Sequence, residues 1–246
     1  MAEMERMLRA TVTDCQFEQF IKYHRLLVEW NERMNLTAVT DTEGVFGKHF
    51  LDSLVVRTLP EWGVLVQPGA RVADVGTGAG FPGIPLSICY PHVQFTLFDA
   101  LQKRLTFLAE VISTLKLENV QLVHGRAEDL AHEYGYRNGF DAVVSRAVAR
   151  LNVLLEWTTP FVKPGGVVFA YKGPGVEDEL VEGKRAAKVL KTKILRIASL
   201  QLPAAIGART MVVAQQKGMS PATYPRKAGT AAKSPLGKLL QGEATV

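Results

Sequence analysis

The residue pattern with the clearest chemical meaning is a glycine-rich loop that runs Asp74-Val-Gly-Thr-Gly-Ala-Gly-Phe-Pro-Gly83. Its alternating glycines, Gly76, Gly78 and Gly80, let the backbone turn sharply and let a ligand approach closely. The spacing does not fit the dinucleotide fingerprint G-x-G-x-x-G, because Phe81 stands where the third glycine would be. The phosphate-binding pattern G-x-x-x-x-G-K-S/T does not occur in the sequence. We therefore expect the loop to hold a ligand of another kind.

The carboxylate of Asp74 narrows the choice of ligand. It lies two residues before the first glycine, where it would repel a pyrophosphate but suits a cationic ligand with an amino group. S-adenosylmethionine carries both a sulfonium and an ammonium charge. The pattern Asp-x-Gly-x-Gly-x-Gly after a first strand is similar to the cofactor motif of Rossmann-like methyltransferases. The alternative is a purely structural turn.

Two later acids follow predicted strands in the same way. Asp99 ends the second strand about 20 residues beyond the loop, where Rossmann-like folds place an acid that binds ribose hydroxyls. The alternative is that Asp99 caps the helix that begins at Leu101. Ala127 and Glu128 follow the third strand and can border an adenine pocket. For Glu128 the alternative is an acid favoured by the helix dipole in a first helical turn.

These residues need a scaffold that brings several strand ends together. From Arg71 onward the sequence alternates between strands and helices, which predicts an α/β fold with helices on both faces of a mostly parallel sheet. The last two of seven strands have no helix between them and should close the sheet as an antiparallel pair. The predicted strands are Arg71–Val75, Val93–Phe98, Val120–Val123, Asp141–Ser145, Gly166–Tyr171, Ile194–Leu200 and Thr210–Gln215.

The scaffold divides into three expected parts. Residues 1–60 read as a helical extension, because their apolar residues recur at helical spacing and Thr13 with Gln16 can form a capping box. Residues 61–218 should form the Rossmann-like domain. Residues 219–246 are rich in Pro, Gly, Ala and Lys, so we expect a basic, flexible tail with little core of its own.

The charge is distributed unevenly along the 246 residues. Residues 1–159 carry 15 Lys and Arg against 19 Asp and Glu, whereas residues 160–246 carry 14 against 5. Residues 183–242 contain no acid, which predicts a polyanion partner for the C-terminal part. No stretch approaches 18 apolar residues and the N-terminus does not resemble a signal peptide, so we expect a cytoplasmic protein.

Several motifs, taken together and in order, resemble the GidB family, also called RsmG. The resemblance covers about residues 15 to 240. It implies a class I methyltransferase that transfers a methyl group from S-adenosylmethionine to N7 of a guanine in small-subunit (16S) ribosomal RNA. The motifs are Trp30-Asn-Glu-Arg-Met-Asn-Leu-Thr37, His49-Phe-Leu-Asp-Ser-Leu54, Asp74 to Pro85, Gly125-Arg-Ala-Glu128, Ser145-Arg-Ala-Val-Ala149, Lys172-Gly173 and Pro225-Arg-Lys-Ala-Gly229.

The resemblance assigns cofactor contacts at single positions. These are Gly76, Phe81, the pair Ala127 and Glu128, and Arg146, in addition to the loop and ribose residues argued above. The sequence departs from the family where a proline usually follows Gly-Thr in the basic C-terminal motif, since Thr230 is followed by Ala231. Two rival functions stay open: a small-molecule methyltransferase, and a non-catalytic RNA-binding ribosome assembly factor.

The implied reaction demands little from catalytic side chains. Guanine N7 carries a lone pair and no proton, so no general base is needed, and we expect positioning to dominate and no metal site. Arg146 follows the fourth strand and Lys172 ends the fifth, so both are candidate catalytic residues at the substrate rim. Arg146 can contact guanine O6, a phosphate or the cofactor carboxylate. Its alternative is a surface ion pair.

The candidate RNA contacts fall into two groups. Asn35, His49 and Asp52 lie in the helical extension, where capping and hydrogen bonding between helices are equally plausible roles. The second group lies in the acid-free stretch, whose bases would bind phosphates or simply solubilise the tail. Here Lys184, Lys188 and Lys191 can share a helical face. The tail bases are Arg226, Lys227 and Lys233. We expect a monomer that binds ribosomal RNA or a ribosomal subunit.

Overall fold

A seven-stranded sheet forms the centre of the computed structural model, which describes residues 2–146, 149–203 and 206–238. The strand order in this part of the chain is β3-β2-β1-β4-β5-β7-β6. Strands β1 to β5 are parallel, and β7 runs antiparallel to both β5 and β6. The predictions of a mostly parallel sheet and of an antiparallel pair that closes it are therefore both confirmed. The strands are β1 (Arg71–Val75), β2 (Gln94–Asp99), β3 (Val120–His124), β4 (Phe140–Arg146), β5 (Val162–Lys172), β6 (Thr192–Leu200) and β7 (Arg209–Gln216).

The sheet is buried on both faces because its central strands are apolar on both sides. Val72 and Phe169 belong to one hydrophobic cluster, while their neighbours Ala73 and Val168 belong to a second. Alternate side chains of a strand point to opposite faces, so each cluster needs its own covering layer of helices. The covering helices are α6 (Gly83–Cys89) and α7 (Gln102–Leu115) on the first face, and α8 (Ala127–Leu130), α9 (Leu151–Thr158) and α10 (Glu177–Val189) on the second.

The N-terminal extension is helical and completes the first core. The side chain of Thr13 accepts from the Gln16 amide and the Gln16 side chain accepts in return, so the predicted capping box begins α2. One face of α2 buries Phe17, Phe20 and Tyr23 in the same cluster as the sheet. A π-helical turn, Val45–Leu51, continues α3 into α4. The extension helices are α1 (Glu3–Arg9), α2 (Asp14–Met34), α3 (Thr42–Gly44), α4 (Asp52–Leu54) and α5 (Pro60–Leu65).

The C-terminal segment 219–238 packs against the domain, although its composition predicts little core. Ala231, in the short helix α11 (Thr230–Lys233), is fully buried. The Arg137 guanidinium donates to four backbone carbonyls, those of Ala131, Ser220, Pro221 and Tyr224. These four hydrogen bonds satisfy carbonyl groups that would otherwise need water as their donor. Residues 239–246 of the expected tail lie outside the described residues.

Two basic groups of the acid-free stretch also differ from expectation. Lys184 and Lys188 lie on α10, but Lys191 follows the end of that helix with a φ of 56°. The three lysines therefore do not share a helical face. Arg226 forms an ion pair with Glu156, which is fully buried: its Nε and Nη2 donate to the two carboxylate oxygens at 2.8 and 2.6 Å. Over its described ranges, the chain has no helix that is long and apolar enough to cross a membrane.

The Arg226–Glu156 pair makes a stability prediction. Arg226→Met should lower the free energy of unfolding by about 3 to 5 kcal/mol, because it leaves the Glu156 carboxylate buried without its counter-ion. Lys227→Met, the same loss of charge at the exposed neighbour, should change it by no more than about 0.5 kcal/mol. Urea unfolding of both variants checks this. Equal effects of the two substitutions would show that the pair does not hold the segment.

Candidate functional site

The carboxyl ends of β1 to β4 open onto a cavity of about 530 Å³. A cavity of this size accommodates a ligand as large as a nucleoside with a side chain. Its lining combines the glycine loop and residues after β2, β3 and β4 with the N-terminal extension, which contributes Leu36, Thr37 and His49. The predicted cofactor residues that line it are Gly76, Gly78, Phe81, Asp99, Ala127, Glu128 and Arg146.

The three alternating glycines all have positive φ, but they serve two purposes. Gly76 and Gly78, at 74° and 62°, line the cavity. Gly80, at 96°, lies outside the lining, and a Cβ on it would come within 2.6 Å of the Tyr23 hydroxyl and 2.8 Å of Leu108. Only glycine avoids both the strained backbone and the clash. Gly80 is therefore required by the packing of α2 and α7 on the loop.

Asp74 lies behind the loop and does not line the cavity. Its Oδ2 accepts from the Thr77 hydroxyl at 2.7 Å and from the Gly83 amide at 2.8 Å. Its other oxygen is buried and has no hydrogen-bond partner in the part of the chain that the structure describes. Burial raises the pKa of Asp74 to about 7, despite these two hydrogen bonds. The carboxyl group thus braces the turn and keeps one unpaired oxygen.

The carboxylate of Asp99 accepts hydrogen bonds from both the glycine loop and the segment before α7. Its Oδ1 accepts from the Leu101 amide at 2.8 Å, but Leu101 itself is the N-cap of α7 and no side chain among the described residues caps the helix, so the capping alternative is not what the structure shows. Its Oδ2 accepts from the Gly78 amide at 2.9 Å and faces Arg104 at 3.3 Å. The residue is only 4% exposed but lines the cavity. It therefore joins the ends of two strands and offers a carboxylate beside the glycine loop.

The far end of the cavity is formed by α8 and α9. Glu128 lies in the first turn of α8, and its Oε1 accepts from the Gly229 amide at 3.0 Å. The C-terminal segment is therefore tied directly to a cavity residue. Trp157 also lines this end, and its indole nitrogen is buried with no acceptor among the described residues. Sequence reasoning missed Trp157, whose only signal is its place in an apolar helix.

Arg146 is held between the extension and the glycine loop. Its Nη1 donates to the Asp52 carboxylate at 3.0 Å and to the Lys48 carbonyl at 3.2 Å. Its guanidinium lies 5.0 Å from the centre of the Phe81 ring. The side chain is 14% exposed, so the surface ion pair considered as its alternative is a mostly buried one. The arrangement fixes the guanidinium at the edge of the cavity.

His49 stacks on the same aromatic ring, at 4.5 Å between ring centres and 17° between planes. Burial, and then the nearby Arg146 cation, lower the pKa of His49 to about 4. The ring is therefore neutral at pH 7. Because Arg146 faces Nδ1 at 3.5 Å, we assign the proton to Nε2, which lies 2.8 Å from the Thr37 hydroxyl. Both ring nitrogens are thus engaged.

A second cavity of about 350 Å³ adjoins the first and shares His49 and Arg146 with it. Its other lining residues are Lys48, Asp52, Tyr171, Lys172, Gly173 and Arg209. Asp52 accepts from Arg146 and, at 2.8 Å, from Arg209. Lys172 lies 2.7 Å from Glu179 and is 10% exposed. Sequence reasoning missed Arg209, although the antiparallel pairing of Lys172 with Thr210 brings it to this place.

The remaining predicted RNA residues lie outside both cavities. Asn35 ends α2 in the left-handed conformation, with a φ of 47°, which favours the capping alternative. Arg226 binds Glu156 as described above. Lys227 and Lys233 are exposed on the packed C-terminal segment. The structure thus brings His49 and Asp52 together with Arg146 and Lys172, but not with Asn35 or the C-terminal bases.

Comparisons with known proteins show the family to which the chain belongs. A family model described as GidB, rRNA small subunit methyltransferase G, matches residues 16–207. A Brevibacillus brevis protein named ribosomal RNA small subunit methyltransferase G is 48% identical over 226 residues, 92% of this chain and 93% of that protein. Its namesake from Desulfitobacterium hafniense is 48% identical over 221 residues, 90% of each chain.

A solved structure from Klebsiella pneumoniae, provisionally assigned as an O-methyltransferase, shares the fold. The TM-score is 0.53 at 18% sequence identity, and the match covers 80% of this chain and 90% of that one. At this identity the likeness concerns the arrangement of sheet and helices. It confirms the α/β fold that the alternation of strands and helices predicts, and the Rossmann-like methyltransferase fold that the motifs imply.

The buried carboxyl group of Asp74 predicts an unusual pH dependence. In the folded protein the pKa of Asp74 lies near 7, above the value of 3.8 for an unperturbed aspartate. The unfolded chain therefore binds fewer protons between these values, and the contribution of Asp74 to stability falls as the pH rises from about 4 to about 7. The slope is at most about 1.4 kcal/mol per pH unit.

Asp74→Asn should remove that contribution, so the variant should gain stability relative to the unmodified protein as the pH rises. Urea unfolding without added ligand, at several values between about pH 5 and pH 8, measures the difference. Asp14→Asn makes the same chemical change at an exposed side chain and should show no such trend. A difference between Asp74→Asn and the unmodified protein that does not vary with pH would contradict the assignment.

Proposed function

The chain belongs to the GidB family of ribosomal RNA small subunit methyltransferase G proteins, and from that premise we propose that it methylates N7 of a guanine in 16S ribosomal RNA with S-adenosylmethionine. One structural observation supports this most strongly. Two cavities adjoin at the carboxyl edge of the sheet, and Arg146 and His49 form part of the wall of both. A reaction between a cofactor and a large substrate needs two such neighbouring sites.

The residues of the first cavity fit the cofactor. Gly76, Gly78 and Phe81 would hold its methionine part, and Asp99 would accept hydrogen bonds from the ribose. Ala127 and Glu128 would border the adenine. Asp74, whose Oδ1 has no partner among the described residues, lies behind the loop, where an ammonium charge on the cofactor would favour the ionised carboxylate. When bound, S-adenosylmethionine supplies a methyl group activated by its sulfonium charge.

The side chains have a positioning role in this proposal. N7 has no proton to lose, and His49, whose two nitrogens are both engaged, is not needed as a base. Arg146, held by Asp52 and stacked on Phe81, is our candidate catalytic residue, since it lies where both cavities meet. Lys172 is bound to Glu179 beside the second cavity and we assign it a contact with the substrate. Fixing two reactants in line can lower the activation barrier by several kcal/mol.

The polyanionic substrate accounts for the remaining charges. We propose that the exposed Lys227 and Lys233 contact phosphates of the ribosomal RNA, while Arg226 holds the backbone that carries them. Such contacts bind the backbone without reading sequence, so they weaken as salt rises. We further propose that the protein acts as a monomer in the cytoplasm, on ribosomal RNA or on a ribosomal subunit.

The direct test is transfer of a tritiated methyl group from S-adenosylmethionine to small ribosomal subunits from a strain that lacks this protein. We expect one labelled guanine, methylated at N7, after nuclease digestion and mass spectrometry. Gly76→Val should abolish cofactor binding and transfer together, because a branched side chain strains a backbone with positive φ and projects at the cavity wall.

Calorimetric titration with S-adenosylmethionine separates the rival functions. Absence of binding would favour a non-catalytic assembly factor and contradict the enzyme. Binding without transfer to RNA, but with transfer to a small molecule, would favour a small-molecule methyltransferase. Normal transfer by Gly76→Val would show that the glycine loop is not the cofactor site.

A further inference from the structure

The second cavity has a chemical character of its own. The proposed cofactor residues do not account for it, because it shares only His49 and Arg146 with the first cavity. It is bounded by the extension on one side, through Lys48 and Asp52, and by the sheet on the other. A ligand seated there would lie directly beside the methyl-transfer position that the proposed function requires.

The charges around this cavity do not balance. Lys172 is neutralised by Glu179, which lies 2.7 Å away. Arg146 and Arg209 share a single carboxylate, that of Asp52, as their partner among the described residues. Lys48 is exposed and has no carboxylate partner in the described ranges. The cavity therefore carries an excess of about two positive charges, which favours an anionic ligand.

The groups at this cavity that are still available for hydrogen bonding are donors. The Asp52 side chain is only 3% exposed, and its two oxygens already accept from two guanidinium groups. By contrast, Nη2 of Arg209 has no acceptor in the part of the chain that the structure describes, and the Lys48 ammonium group is equally unpaired. Guanidinium and ammonium donors together suit a phosphate oxygen.

The same features argue against the guanine base as the occupant. The N1 and N2 groups of guanine are donors and would need acceptors. Both oxygens of Asp52 already accept hydrogen bonds from the two arginines. Methylation at N7 also leaves a positive charge on the base, which a cationic cavity would repel. A phosphate meets neither obstacle.

We propose that the second cavity binds a phosphate of the RNA backbone next to the target guanosine, with Lys48 and Arg209 as its ligands. This inference rests on the proposed function, since it places the RNA relative to the cofactor cavity. The phosphate fixes the strand so that the neighbouring base reaches Arg146 at the junction of the two cavities. Lys48 and Arg209 thereby act in positioning the substrate.

Lys48→Met tests the site, because it removes one unpaired charge and keeps the apolar stem. The affinity for small ribosomal subunits should fall about 10-fold, and the slope of log Kd against log salt should decrease by about one, between about 50 and 200 mM KCl. The Kd for S-adenosylmethionine should not change. Lys22→Met, at an exposed position on α2 that lines neither cavity, is the matched control and should behave as the unmodified protein.

Arg209→Lys adds a second measurement that keeps the charge. It loses the planar fork, so KM for the subunits should rise while the salt slope stays the same. If Lys48→Met and Lys22→Met have the same slope as the unmodified protein, the phosphate site is wrong although the enzyme stands. If the unmodified protein methylates no RNA at all, the proposed function fails and the phosphate site fails with it.

Discussion

The arrangement of the site depends on the two ion pairs that the buried carboxylate of Asp52 forms. This carboxylate belongs to the N-terminal extension, yet it accepts from Arg146 at the end of β4 and from Arg209 at the start of β7. Those two strands lie on either side of β5 in the sheet. A carboxylate on a side chain that is only 3% exposed is costly unless it is paired, so the extension is held where both arginines can reach it. His49, three residues earlier, is thereby brought onto Phe81.

The extension therefore forms part of the wall of the first cavity as well as a helical layer of the fold. The Tyr23 hydroxyl donates to the carbonyl of Ala79 in the glycine loop and occupies the space that a Cβ on Gly80 would need. Leu36 and Thr37, which follow α2, line the first cavity. A loop shaped from behind by one helix and covered by the next segment is well suited to fixing a cofactor in one position.

Much of the scaffold could be predicted because its signals are local. Apolar runs mark the strands, glycines mark the turn after β1, and Asp99 ends the second strand at a spacing from the loop that is typical of this kind of fold. What could not be predicted depends on partners distant in the sequence. Arg209 becomes a site residue only through Asp52, 157 positions earlier, and Arg226 is occupied by Glu156, 70 positions earlier.

Asp74 illustrates the same limit in reverse. Its position in the motif suggests a direct ligand, but the fold turns its carboxyl group inward to Thr77 and Gly83, where burial raises its pKa to about 7. The C-terminal segment has the composition of a flexible tail, yet Arg137 and Glu128 bind the backbone of its described part. Composition does not show which buried side chains will satisfy a segment's carbonyls and amides.

The most direct measurement of the central claim is the rate of a single round of methyl transfer by Asp52→Asn at saturating S-adenosylmethionine and RNA. Asparagine keeps the shape but removes the charge that holds Arg146 and Arg209. If Asp52 positions Arg146 at the junction of the two cavities, the rate should fall about 10- to 100-fold. The Kd for the cofactor should stay within about threefold, since the loss falls on the transition state. An unchanged rate, or a loss confined to cofactor binding, would contradict the account.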